Sequence, residues 1–357
     1  VLPYTIAIAG SFFRTVGGTC LISVVGRASV TFKNLSIQAV EKNDIYNQEV
    51  ITLSDLRDDK RVYMSKPTSS DVVSCRNVIF TNNVSKVSVS DSTWKNYYCS
   101  DGSPGLSLKY LGAYSSRISN SQFIGLSGKS SIVAVSSPSS NLYIEDCVFV
   151  DNKAGWVDAE RVLKLEVLST SFSSSQLSSP GIYMHMDALT MSNVSFTQVS
   201  GESQIVKLTS SSQGNSYNFS KVSFTDITSS SKLTAIYLDS GNFSLEWKDL
   251  TIERLTSKSQ SVLVITETVA ISSATILNMS VLDVTSIEQG AISISHNSGI
   301  LNFNSAVFKD SKISSMIVTE LKSQAQVTFT NCQFSKLTGK FGLQISESPS
   351  GTMVTTE

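Results

Sequence analysis

The chain has 357 residues, with 28 Lys and Arg against 29 Asp and Glu, for a formal net charge of −1. Charged residues are 16% of the total, below the roughly 25% of an average soluble protein, and Ser and Thr stand where charge usually would. This balance argues against a nucleic-acid partner or an anionic membrane surface, and no apolar run approaches the ~18 residues of a membrane span.

Taken from the N-terminus, VLPYTIAIAGSFF (1–13) lacks an initiator Met and a basic segment, so it is not an intact signal peptide. With the tail FGLQISESPSGTMVTTE (341–357), it makes both ends read as cuts within a longer or processed chain. Then a phrase begins to recur: VTFKNLSI (30–37), VSCRNVIF (73–80), VSVSDSTW (87–94), SRISNSQF (116–123), LYIEDCVF (142–149) and LEVLSTSF (165–172). It continues as LTMSNVSF (189–196), YNFSKVSF (217–224), LEWKDLTI (245–252), ATILNMSV (274–281), LNFNSAVF (301–308) and VTFTNCQF (327–334). Between the first two phrases, residues 41–72 form the most charged stretch, which reads as a loop excursion from one continuous domain spanning 1–357.

The columns of this phrase behave differently. The third is always apolar, the eighth is aromatic or β-branched, and the second and fourth are mostly polar. That is a strand with one buried face. The fifth column is Asn or Asp in nine of twelve phrases, including Asn34, Asp146, Asn193, Asn278 and Asn331. Such residues tolerate left-handed backbone angles and suit a sharp corner. From Phe123 onward the eighth-column anchors lie 23 to 29 residues apart, leaving room for a third strand such as GIYMHM, TAIYLD or SVLVIT. Strand, corner, strand and a further strand, repeated, predict an all-β parallel β-helix (a solenoid) of about 11–12 coils with three short strands each. A β-sandwich would need tight hairpin turns, and only Asp101-Gly102 offers one.

The phrase resembles the repeats of right-handed parallel β-helix proteins of the pectin-lyase-like superfamily, and its fifth column looks like that fold's asparagine ladder. QGAISISHNSGILNFNSAVFKDS (289–311) is also loosely similar to repeats of polymorphic outer-membrane proteins and of large protist surface proteins. The resemblance implies a right-handed coil. It implies no single activity, because the superfamily includes lyases, hydrolases, adhesins and tailspikes.

The Asn-Thr-Asp, Gly-His-Gly and Arg-Ile-Lys signatures of the related polygalacturonases are absent, and the chain has two histidines, His185 and His296. No metal-ligand spacing, phosphate loop or dinucleotide loop is present, so no cofactor or metal is expected. One patch keeps an enzyme reading open. Alternation in GIYMHMD turns Tyr183, His185 and Asp187 outward, and neighbouring coils offer Lys207, Tyr237, Asp239 and Glu267.

Five cysteines leave at least one unpaired. Cys147 and Cys332 fall in the sixth column and should point inward. Seven coils separate them, roughly 34 Å at the strand spacing, too far for a disulfide. Cys75 to Cys99 is the candidate bridge. Asn-x-Ser/Thr occurs at Asn34, Asn83, Asn193, Asn218, Asn242 and Asn278. Asn83, Asn218 and Asn242 are the preferred glycan sites, since Asn34, Asn193 and Asn278 hold the corner. The expectation is a non-enzymatic extracellular or cell-surface rod, structural or adhesive. It would be stacked end to end with copies of itself or with further coils, and would meet surface glycans. The alternative is a carbohydrate-active enzyme or glycan-binding protein using the Tyr183/His185/Asp187 face.

Overall fold

The computed structural model describes backbone strands from Thr5–Ala9 onward. Side chains are described over 87–94, 106–108, 115–128, 130–138, 140–185, 188–210, 215–229, 233–257, 261–286, 291–295, 298–313 and 325–339. The described residues form an all-β parallel β-solenoid of about seven turns, without a helix, where the sequence led to an expectation of 11–12 coils. The chain divides into two compact units, Val1–Gly181 and Ile182–Glu357.

In the first unit the strands Ser116–Ser119, Asn141–Glu145 and Lys164–Leu168 pair in parallel, so that Ile118, Ile144 and Val167 stand in line. The short strands that follow the corner align Phe123, Phe149 and Phe172 in the same way. In the second unit Met191, Phe219 and Trp247 share one register, and Phe196, Phe224 and Ile252 another. Equal spacing of like residues converts sequence repetition into continuous ladders. In all described phrases but the last, columns one, three, six and eight are buried, from Val87 and Trp94 to Phe303 and Phe308. Trp94, Phe123, Phe149 and Phe172 stack with centroids 4.8, 4.5 and 4.8 Å apart, close to the strand spacing of about 4.8 Å. In the second unit Phe219–Trp247 and Phe303–Phe329 stack at 5.1 and 5.0 Å. The last phrase differs: Phe334 stacks on Phe308 at 4.9 Å yet remains 41% exposed.

The fifth column is left-handed in every described phrase, with φ of 48° at Asn120, 55° at Asn193 and Asn278, and 53° at Asn331. The corner N–H donates to the next coil, as Asn120 N to Glu145 O at 3.0 Å and Asn278 N to Asn304 O at 3.0 Å. Side chains add rungs at the surface: Asn120 Nδ2 donates to Asp91 Oδ1 at 2.5 Å, and Asn278 Nδ2 to Asp249 Oδ1 at 3.0 Å.

A second left-handed column, unforeseen from the sequence, lies two residues after each anchor. It holds Gly125, Asp151 and Ser174 in the first unit, and Gln198, Asp226, Arg254, Asp283, Asp310 and Lys336 in the second. Its N–H groups are also taken up by the next coil, as Asp151 N to Ser173 O at 3.2 Å and Gln198 N to Thr225 O at 3.0 Å.

Both corners explain part of the Ser/Thr content. The residue after the corner points inward, and its hydroxyl reaches back to the carbonyl two residues earlier. Ser121, Thr170 and Ser175 donate to Ser119, Leu168 and Ser173 at 2.8, 2.8 and 2.9 Å. The same hydroxyls accept from the preceding coil, as Cys147 N to Thr170 Oγ1 at 3.3 Å and Asn152 N to Ser175 Oγ at 3.3 Å. Each of these carbonyls already accepts a corner N–H from the preceding coil, as Ser173 O does from Asp151 N, so the hydroxyl supplies its second donor.

The segment 41–72 departs from a plain loop excursion. Arg61–Ser65 pairs in parallel with Ser29–Lys33 on one side and Lys86–Ser90 on the other, and Thr68–Ser70 lies between Ser36–Ala39 and Thr93–Lys95. Its backbone therefore carries the coil between VTFKNLSI and VSVSDSTW. The strand Val72–Asn82, which holds VSCRNVIF, instead pairs with Gly18–Gly26 and Leu106–Lys109 in the other sheet. This resolves the 14-residue spacing between Phe80 and Trp94: those two positions are not equivalent. Residues 40–51 lie outside the described residues.

Candidate functional site

Within the second unit, Ile182–His185, Gln204–Thr209 and the first part of Thr234–Ser257 are consecutive parallel strands. Ile182, Met184, Val206, Leu208, Ile236 and Leu238 face the core, so the residues between them face out. Register then places Tyr183 beside Lys207, and Lys207 beside Tyr237. The Lys207 ammonium lies 5.9 Å from the Tyr183 ring centroid and 5.7 Å from that of Tyr237, within cation–π range. It also pairs with Asp239 Oδ2 at 3.0 Å. His185 Nδ1 shares a 2.6 Å hydrogen bond with Thr209 Oγ1, as their register requires.

Five of the seven candidate residues therefore meet on one face: Tyr183, His185, Lys207, Tyr237 and Asp239. Glu267 is exposed in the turn beyond Leu263–Ile265, and Asp187 and His296 lie outside the described residues. Burial, then the Asp239 charge, raise the Tyr237 phenol above its ordinary value against the opposing pull of Lys207. That phenol stays protonated at neutral pH and is a poor general base. Asp239 and Lys207 hold each other as an ion pair on this face. What this arrangement offers readily is an aromatic, hydrogen-bonding surface.

A second feature of the same unit was not legible as a site. Outside Met191, Phe219 and Trp247, register aligns Thr190, Asn218 and Glu246 in one row, and Ser192, Ser220 and Lys248 in another. A trough of about 270 Å³ lies between these rows.

Cys147 is buried and free, its thiol bonded to Glu145 O at 3.2 Å, and burial pushes its pKa up to about 11. Cys332 is free and half-buried, with its pKa raised by burial. Cys75 and Cys99 are register partners on neighbouring strands, while the side chains of Cys20, Cys75 and Cys99 lie outside the described residues. Asn193 and Asn278 are exposed, Asn218 is half-buried, and Asn242 is half-buried with its Oδ1 enclosed and unpartnered. Asn34 and Asn83 lie outside the described residues. Among the described residues there is no cluster of three or more metal-ligating side chains and no helix long and apolar enough to cross a membrane. No family model, curated protein or solved structure matches the chain.

Proposed function

We propose that this chain is a non-enzymatic extracellular rod of the right-handed pectin-lyase-like type, serving a structural or adhesive role. The observation that carries the reading is the Lys207–Asp239 pair at 3.0 Å. It pairs two of the charged candidates on the face best furnished for chemistry, while His185 is bonded to Thr209. The apolar and hydroxyl side chains of the coils serve stacking, which suits a load-carrying shaft. Its ends meet further coils or copies of itself. Phe334 stacks on Phe308 at 4.9 Å and is 41% exposed, an apolar ring that such a contact would cover. A head-to-tail contact of this kind is heterologous and propagates instead of closing. Sequon glycans at exposed positions would suit the same setting.

The second reading is a glycan-binding or carbohydrate-active face at Tyr183, His185, Lys207 and Tyr237, favoured by the tyrosines on either side of Lys207. Incubation with polysaccharides, followed by reducing-end and unsaturated-product assays, separates the two. The rod reading expects no product. Turnover that disappears in His185→Ala would replace it with the enzyme reading.

A further inference from the structure

We infer that the corner asparagines Asn193 and Asn278 are N-glycosylation sites and that Asn242 is not, which reverses the order suggested by the sequence alone. The inference rests on the extracellular reading. Of the four sequon asparagines in the second unit, Asn193 and Asn278 are exposed, whereas Asn218 and Asn242 are half-buried. The backbone explains the division. Asn193 and Asn278 both take φ of 55° where the chain turns between two strand segments, and a turn presents its side chain to solvent. Asn218 instead stands in a strand between its register partners Thr190 and Glu246. Asn242 lies beside Ala270, with its Oδ1 enclosed and unpartnered. Its sequon hydroxyl, Ser244 Oγ, is already bonded to Ser273 Oγ at 2.8 Å. A sugar on Asn242 would have to draw the carboxamide out of that enclosure.

Corner duty does not conflict with a glycan. In the transfer, Asn Nδ2 attacks C1 of an oligosaccharide carried on a polyprenyl diphosphate. The N–C1 bond forms, the C1–O bond breaks, the lipid diphosphate leaves, and Nδ2 gives up one proton. A primary carboxamide has two N–H donors, so one remains. At Asn278 that hydrogen can keep the rung to Asp249 Oδ1, which is 3.0 Å long. Register puts Asn193, Lys221, Asp249 and Asn278 in one column. The two sites are thus three steps of about 4.8 Å apart, roughly 14 Å along one edge of the coils. Glycans there line a corner and leave the sheet faces open.

The full 357-residue chain, fused to a cleavable secretion signal, is produced in a eukaryotic secretory cell. Exported and cell-retained chains are both treated with peptide N-glycosidase in heavy-oxygen water and mapped by mass spectrometry. Label is expected at Asn193 and Asn278, at an occupancy tenfold or more above that at Asn242. Ser195→Ala and Ser280→Ala keep both corner asparagines, and each should erase the label at its own site while leaving the other. Empty Asn193 and Asn278 in either fraction, or Asn242 filled to their level, overturns the inference; export of such a chain would still leave the extracellular reading in place. A retained chain with Asn193 and Asn278 filled and Asn242 empty supports the inference and counts against that reading instead.

Discussion

Lys221 occupies the corner column with φ of 55°, a conformation that costs most L-residues roughly 1–2 kcal/mol. Asn tolerates it better, so Lys221→Asn should stabilise the chain by about 1 kcal/mol and Lys221→Val should destabilise it. Urea titration of the two variants checks both signs. Asp158 presents a different strain. Its Oδ1 is enclosed without a partner, and burial, helped by Glu160, raises its pKa to about 6. A carboxyl whose folded pKa is raised favours folding when protonated and loses that stability as pH rises from the ordinary value of 3.8 through about 6. Asp158→Asn should therefore raise Tm at pH 7.5, by the equivalent of about 1–2 kcal/mol after screening, and the difference should vanish near pH 3.5. Cys147, by the same logic, should resist thiol reagents in the folded chain at pH 8.5 while Cys332 reacts. Labelling of Cys147 as fast as that of Cys332 would contradict its burial.

The coil is the element that stabilises this fold, and its contacts repeat. Phe329 is 2% exposed and stacks on Phe303 at 5.0 Å, so Phe329→Ala should cost about 3–5 kcal/mol, measured by chemical denaturation. At this scale the sequence was largely legible. Alternation at Leu142, Ile144 and Cys147 and the Asn/Asp corner each have a chemical signature, so burial and the first turn could be read directly. The second corner could not. Asp151, Gln198, Arg254 and Lys336 share no side-chain chemistry, and their common feature is a left-handed backbone angle, which the next coil's carbonyl holds at Asp151 and Gln198. The buried hydroxyls at Ser121 and Thr170 were hidden for a related reason. A polar letter in an apolar column reads as an exception until the corner carbonyl it serves is known. Register also sharpens the cysteine expectation. Strands pair at about 4.8 Å, inside the 4.4–6.8 Å range of disulfide Cα separations, so the Cys75–Cys99 pairing is expected to appear as a linked peptide in a non-reducing digest.

For the molecule as a whole, repetition specifies fold far better than function. The face at Tyr183 was legible because its residue types are distinctive, while its meaning changed once Lys207 was seen to hold Asp239. The trough was illegible because its Ser, Thr and Asn are the commonest outward letters of this chain, and only register brings Thr190, Asn218 and Glu246 together. Every part of the account rests on in-register parallel stacking. Electron spin resonance between paired spin labels tests that stacking directly, in a chain whose native cysteines are replaced by serine. Ser195, Ser223, Thr251, Ser280, Val307 and Gln333 are successive partners on the outer surface of the second unit. Labels at Ser195 and Gln333 should lie roughly 24 Å apart, five steps of about 4.8 Å, and moving the second label back to Val307 should shorten the distance by one step. A distance that does not change with coil number, or that shortens toward Gln333, would contradict the solenoid.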